Sequence, residues 1–185
     1  MKLKLSIFIS LFAFILFSSC SKNEKFDDSW KLENEAQFAK IASNSEYTKL
    51  NSSSNKGFVM YKIIESGDGD ETPNFTDDVK IRYTGWFKRI WQNSDTYKNE
   101  QGDIITNKIV FDSTPNSSIP STFNLNPNNP FGLIDGLSTA LQHMKIGDIW
   151  EVWIPSKLGY GSIVKGSIPA YTTLVFEVEL VEIVE

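Results

Sequence analysis

The sequence predicts an α+β fold, an antiparallel sheet of five to six strands wrapped around one short helix. Two observations carry this. Five or six short runs are β-prone or alternate apolar and polar residues, the pattern of half-buried strands. Against them, only one segment of the main body repeats at helical spacing. Strands in number with a single helix fit a sheet that covers the helix on one face, not a chain of βαβ units.

The elements follow in order. Asp28 or Ser29 is placed to cap a helix over Trp30–Ala42, where Leu32, Ala36 and Ala39 recur with Phe38, Ile41 and Ala42 alongside. This helix either docks on the main body, self-associates or stands as a spacer. Residues 43–56, with Ser52-Ser53-Ser54-Asn55, read as a polar linker. Phe58–Glu65 is a strand and Ser66-Gly67-Asp68-Gly69-Asp70 a turn. Val79, Ile81 and Tyr83 alternate with Lys80, Arg82 and Thr84. Ile109–Phe111 and Thr122–Leu125 are short strands. Leu137, Ala140, Leu141 and Met144 lie at i, i+3, i+4, i+7 and define the helix, which Gly147 stops. Trp150, Val152 and Ile154 alternate with Glu151 and Trp153, and Thr173–Val181 is a long final strand.

Composition narrows the function. Of 185 residues 41% are apolar and 22% charged, as in an ordinary globular protein. The net charge of −5 offers no basic face for nucleic acid. One Cys and one His exclude an intrachain disulfide and a Cys/His metal site. Gly-x-Ser-x-Gly is absent, and so is a phosphate-cradling glycine loop with Lys. His143 reads as a surface residue at a helix end. Asp68-Gly69-Asp70-Glu71 reads as a solvated turn, because Thr72 and Pro73 stand where a calcium loop needs an oxygen ligand and Gly. The remaining aromatic and aliphatic groups, with few polar ones, suit an apolar small-ligand pocket.

The first residues are an address. Lys2 and Lys4 precede an uncharged apolar run, Leu5–Phe17, then Ser18, Ser19 and Cys20. The run is too short for a spanning helix, which needs about 20 residues. It resembles a bacterial lipoprotein signal, which implies removal of residues 1–19 and lipidation of Cys20. Phe17 departs from that pattern, where Leu is usual. The alternative is an ordinary buried Cys near a signal anchor. Losing Lys2 and Lys4 moves the net charge from −5 to −7, which leaves acyl chains, not charge, as the membrane anchor. The expected destination is the cell envelope, at the outer membrane of a Gram-negative bacterium.

From residue 57 onward the sequence is similar to the FKBP-type peptidyl-prolyl cis-trans isomerases. Val79-Lys80-Ile81-Arg82-Tyr83-Thr84-Gly85 resembles the family's V-x-V-x-Y-T-G strand, and Phe111-Asp112-Ser113 its F-D-S. Leu133-Ile134-Asp135-Gly136 resembles V-I-x-G. Met144-Lys145-Ile146-Gly147-Asp148 with Trp150 to Pro155 resembles M-x-x-G-E…W…I-P, and Leu158-Gly159-Tyr160-Gly161 resembles L-A-Y-G. Ile168-Pro169 through Leu180 resembles I-P-x-x-x-x-L-x-F-x-V-E-L. The matches are in order; each alone is weak.

The resemblance implies an organisation of residues 1–19 as signal, 20–56 as lipid-anchored tether and 57–185 as the isomerase domain. It implies a half-barrel sheet around the helix, with a prolyl pocket between them. Carried over by position, Tyr83, Phe111, Asp112, Ile134, Tyr160 and Phe176 form the catalytic set. Leu133, Leu137 and Ile168 complete the substrate-binding walls. The Tyr160 hydroxyl and Ile134 N–H are the implied donors to substrate carbonyls, and Asp112 holds Tyr83 or polarises the site edge. The implied partners are proline-containing polypeptides and the membrane, with no cofactor, metal or nucleic acid. Read singly, each aromatic reads as a core residue, and Asp112 as a cap for its turn.

Two departures bear on catalytic strength. The family's active members usually carry Trp at the pocket floor, where Leu137 stands, and an aromatic where Ser121 stands. The segment between Gly85 and Phe111 is longer than the compact family form. Its β-prone runs around Gly102 predict an inserted hairpin. Trp86, Phe87, Trp91 and Tyr97 within it either extend a polypeptide-binding surface or pack on the barrel or the Trp30 helix.

Overall fold

A computed structural model describes residues 28–114, 119–130 and 132–184. The signal segment and Cys20 lie outside the described residues. Chain order is α1 (Asp28–Ala42), β1 (Thr48–Asn51), β2 (Phe58–Glu65), β3 (Asp78–Lys88), β4 (Thr96–Lys98), β5 (Ile104–Thr106), β6 (Lys108–Ser113), β7 (Ser121–Asn124), α2 (Asp135–Leu141), β8 (Ile149–Ile154) and β9 (Leu174–Val184).

The class is α+β, as the alternation of apolar residues requires. The main sheet runs β1-β2-β8-β9-β3-β6, with β7 also on β3, and every strand pair in it is antiparallel. β3 is the organising strand. Its first half pairs with β7, its second half with β6, and its other edge with β9 along nearly its whole length. A shift of register between Gly85 and Trp86 redirects the strand where β6 begins.

α2 packs on one face of this sheet. Leu137, Ala140, Leu141 and Met144 are all buried. A Cβ on Gly136 would stand 2.3 Å from Ile154 Cγ2, so only glycine permits the close approach of α2 to β8. The helix ends at Leu141, earlier than the apolar spacing suggests, and Met144 reaches the core from the turn that follows.

Two sequence expectations change. Residues 43–56 are not a free linker. Thr48–Asn51 pairs antiparallel with Phe58–Tyr61 of β2 as the outermost strand of the sheet, and the Ser52 hydroxyl donates to Asp135 Oδ1 at 2.6 Å. This adds a seventh strand. Tyr47 Oη and Trp153 Nε1 both donate to Glu151 Oε1, at 2.6 and 2.7 Å, and fix the turn before β1. Polar composition hid the strand because an edge strand needs backbone partners more than apolar side chains.

The inserted segment does form a hairpin, the two-stranded ribbon β4–β5. Its large aromatics are consumed by packing. Trp91 and Phe87 are buried, and Trp86, Trp91 and Trp153 meet in a cluster with ring centroids 5.4–6.3 Å apart. Phe58 and Val59 are adjacent on β2 and so face opposite sides of the sheet. Val59 meets α2, whereas Phe58 meets Phe38 of α1 at 5.4 Å. α1 therefore docks on the face opposite α2.

Candidate active site

The site residues converge from five places. Tyr83 comes from β3, Phe111 and Asp112 from β6, Ile134 from the residue before α2, Tyr160 and Ile168 from the β8–β9 connection, and Phe176 from β9. The strand register brings the first and last together: Gly85 lies opposite Phe176 on β9 and opposite Asp112 on β6. A Cβ on Gly85 would lie 2.6 Å from Phe111 Cζ and 2.8 Å from Phe176 Cε1. Glycine at this point opens the strand surface so that both rings lie across it.

The rings form a continuous wall. Phe111 meets Phe176 edge-on at 5.5 Å, and Tyr83 meets Phe176 at 6.2 Å. Leu137, Ile168 and Phe176 belong to the buried core, at 2%, 3% and 4% exposure. Leu133, Ile134, Tyr83, Phe111 and Tyr160 are partly buried and pack against it. The set thus passes from the core to the surface.

The polar groups sit at the rim. Tyr83 Oη donates to Asp112 Oδ2 at 2.7 Å. Burial, then the bond to Asp112 and its charge, push the Tyr83 phenol far above the ordinary value. Burial first, and then the Asp112 charge, raise the Tyr160 phenol too. Both hydroxyls therefore stay protonated at neutral pH; the Tyr83 proton goes to Asp112, and the Tyr160 hydroxyl can donate. The Ile134 carbonyl accepts from Leu137 and Ser138 N–H, at 3.0 Å each, and fixes the peptide that enters α2. Among the described residues no group of acidic, His or Cys side chains is arranged to hold a metal ion.

Sequence reasoning missed one contributor and named another without placing it. Phe123 meets Tyr83 edge-on at 5.9 Å. It lies two residues beyond Ser121 on β7, hence on the same face, and supplies a ring beside the position where Ser121 offers only a hydroxyl 3.3 Å from Thr114 Oγ1. The alternation of Phe123 with the fully buried Leu125 was the available signal. Phe87 stacks on Phe111 at 6.5 Å and backs it from the insertion. Nothing local distinguishes Phe87 from its neighbours; the register shift after Gly85 places it.

An antiparallel sheet curled over one short helix, with an aromatic wall opening between them, defines a fold class shared by solved proteins. FkpA from Escherichia coli superposes with a TM-score of 0.61 at 27% identity, over 86% of this chain and 62% of that one. A peptidyl-prolyl cis-trans isomerase from Pseudomonas syringae pv. tomato gives the same TM-score of 0.61 at 23% identity, covering 85% and 96%, and shows the shared fold alone. The family model for FKBP-type peptidyl-prolyl cis-trans isomerase matches residues 69–181. The chain belongs to that family. The FKBP-type 22 kDa peptidyl-prolyl cis-trans isomerase of Escherichia coli is 36% identical over 126 residues, 68% of this chain and 50% of that protein. The Legionella longbeachae outer membrane protein MIP is 32% identical over 126 residues, 68% and 44%. FK506-binding protein 1 of Aspergillus oryzae is 34% identical over 126 residues, 68% of this chain and 97% of that one. The chain spans half or less of the length of the first bacterial relatives it matches.

Proposed function

We propose that the chain catalyses cis–trans isomerisation of X–Pro bonds in exported polypeptides, with Tyr83, Phe111, Asp112, Ile134, Tyr160 and Phe176 as the catalytic set and Leu133, Leu137 and Ile168 as substrate walls. The observation that carries this is the Tyr83–Asp112 hydrogen bond standing at the edge of the Phe111–Phe176 wall. Rotation about a peptide bond faces a barrier of about 18–20 kcal/mol, set by C–N double-bond character. At X–Pro the cis and trans forms lie within about 1 kcal/mol, so a slow equilibrium exists to be accelerated. Water favours the polar planar amide. Seating the proline ring against Phe111, Phe176, Leu137 and Ile168 removes that water and favours the twisted form. The Tyr160 hydroxyl and Ile134 N–H donate to the substrate carbonyls and bind the twisted geometry better than the planar one. A millionfold acceleration takes about 8 kcal/mol, with no nucleophile or cofactor.

The test is a prolyl isomerisation assay on wild type, Asp112→Ala and Tyr160→Phe. Wild type should be active. Both variants should lose about ten- to a hundredfold in kcat/KM, the scale of a lost well-placed donor or a shifted wall. Equal activity in all three proteins overturns the residue assignment.

The placement of the activity in the envelope belongs to the same proposal. Its supports are the leader of residues 1–19 and a relative whose name is an outer membrane protein. Cys20 is the lipid attachment point. Cys20→Ala should abolish metabolic labelling by a fatty acid, and persistent labelling would refute it.

One observation favours a second reading. Leu137 fills the pocket floor, 2% exposed, and offers no aromatic face to a proline. A module that binds polypeptide without turning it over would tolerate this. A wild-type chain that binds proline-containing peptides yet shows no rate enhancement selects that reading.

A further inference from the structure

Trp30 stands where three parts of the molecule meet. Its Nε1–H donates to the Ala170 carbonyl at 3.1 Å and lies 3.3 Å from Thr172 Oγ1. Between those two residues is Tyr171, with φ 60°, a left-handed conformation that a bulky residue keeps only where its surroundings over-determine it. Here they do. The Tyr171 N–H donates to the Gly161 carbonyl at 2.6 Å, and Lys31 Nζ lies 5.0 Å from the Tyr171 ring centre. Thr172 Oγ1 donates to the Pro169 carbonyl at 2.7 Å. One turn further along α1, Asn34 is wholly buried. Its Oδ1 accepts from Thr173 N–H at 2.9 Å and from Trp91 Nε1 at 3.2 Å, while its carbonyl accepts from Thr173 Oγ1 at 3.0 Å.

Residues 169–173 are the return leg of the connection that opens at Tyr160 and carries Ile168. α1 holds this leg from outside. The Trp30 ring also meets Phe87 edge-on at 6.1 Å, and Phe87 backs Phe111. A single side chain thus contacts both the 169–173 leg and, at Phe87, the ring that backs Phe111.

We propose that α1 is a strut of the prolyl site and that Trp30 is a positioning residue for it, acting through the strained Tyr171 corner and through Phe87. The inference rests on the isomerase reading for its kinetic consequence and on geometry alone for its structural one. Trp30 donates through its indole N–H, a donor that a Phe ring lacks, so the N–H and the ring area are separable. Trp30→Phe keeps a ring against Phe87 and loses the donor; Trp30→Ala loses both.

The experiment measures kcat and KM of the full chain and its two variants on an X–Pro peptide, together with amide exchange. Trp30→Ala should lower kcat/KM at least tenfold, since a displacement near 1 Å at a reacting site costs up to about a hundredfold. Most of that loss should fall in kcat, because the donors are misplaced while the apolar wall persists. Trp30→Phe should lie between. In both variants exchange should quicken at the Tyr171 and Ile168 amides and stay unchanged at Val79 and Val178 in the sheet. Wild-type kinetics with wild-type exchange in residues 159–173 overturns the strut. So does exchange that rises equally in loop and sheet, which is general destabilisation. An inactive wild type refutes the isomerase reading instead, and the exchange comparison still decides the strut.

Discussion

Gly85 shows how one residue sets the site. It is the point where β3 passes beneath Phe111 and Phe176, and a single added methyl meets both rings well inside contact distance. Gly85→Ala should therefore destabilise the fold by about 1–3 kcal/mol, the range for forced overpacking. It should also depress isomerase activity more than that loss of stability explains, because the rings it displaces are the wall. Chemical denaturation and an activity assay on the folded fraction check the two parts separately. The phenols make a second residue-scale prediction. Because Tyr83 and Tyr160 are both held above the ordinary tyrosine value, neither titrates near neutrality. Activity should stay level from about pH 6 to about pH 9 and fall only beyond the usual tyrosine range near 10. A bell-shaped profile centred near pH 7 would contradict a mechanism built on neutral donors.

Edge elements depend on polar networks more than on apolar area. β1 carries no buried residue, yet it is anchored at both ends, by Ser52 on Asp135 and by Tyr47 on Glu151. Burial, followed by the bond to Glu151, pushes the Tyr47 phenol up to about 12. The folded state holds that proton more tightly than the unfolded chain. Its stabilising contribution is therefore complete below pH 10, the unfolded value, and lost as pH rises from 10 to about 12. Glu151→Ala should cost about 1–3 kcal/mol at neutral pH, because it strands the Tyr47 hydroxyl and the Trp153 indole N–H without their acceptor. Urea unfolding reads the loss, and an unchanged midpoint would show that water replaces the carboxylate. Polar residues 43–56 look like a linker in the sequence for this reason: their order comes from partners 83 to 104 residues away, which no local pattern records.

At the scale of the whole molecule, the sheet is covered on both faces. α2 covers one, and α1 with the Trp86–Trp91–Trp153 cluster covers the other. Val175 is wholly buried although its β9 neighbours Leu174 and Phe176 face the opposite side. That double cover explains why the insertion's tryptophans add nothing to the aromatic wall of Phe111 and Phe176: they are spent on the back of the sheet. The large apolar side chains that the insertion leaves exposed are aliphatic, Ile90, Ile104 and Val110, with Ile104 at 73% and Val110 at 50%. The aromatic wall of the site is backed by Phe87 and through it by α1.

The sequence by itself determined the class of fold, the core of α2, the strands that carry Tyr83, Phe111 and Phe176, and the ordered motifs that mark the family. Those features are local or periodic, and burial of one face writes them directly into the spacing of apolar residues. The tertiary structure decided the rest: the edge strand β1, the docking of α1, the ring contributed by Phe123, the fate of the inserted tryptophans and the brace between Trp30 and the Tyr160 loop. These depend on register shifts and on hydrogen bonds between residues up to 142 positions apart, such as Trp30 and Thr172. Pairing over such distances is fixed by the geometry of the folded sheet, and no window along the chain contains both partners.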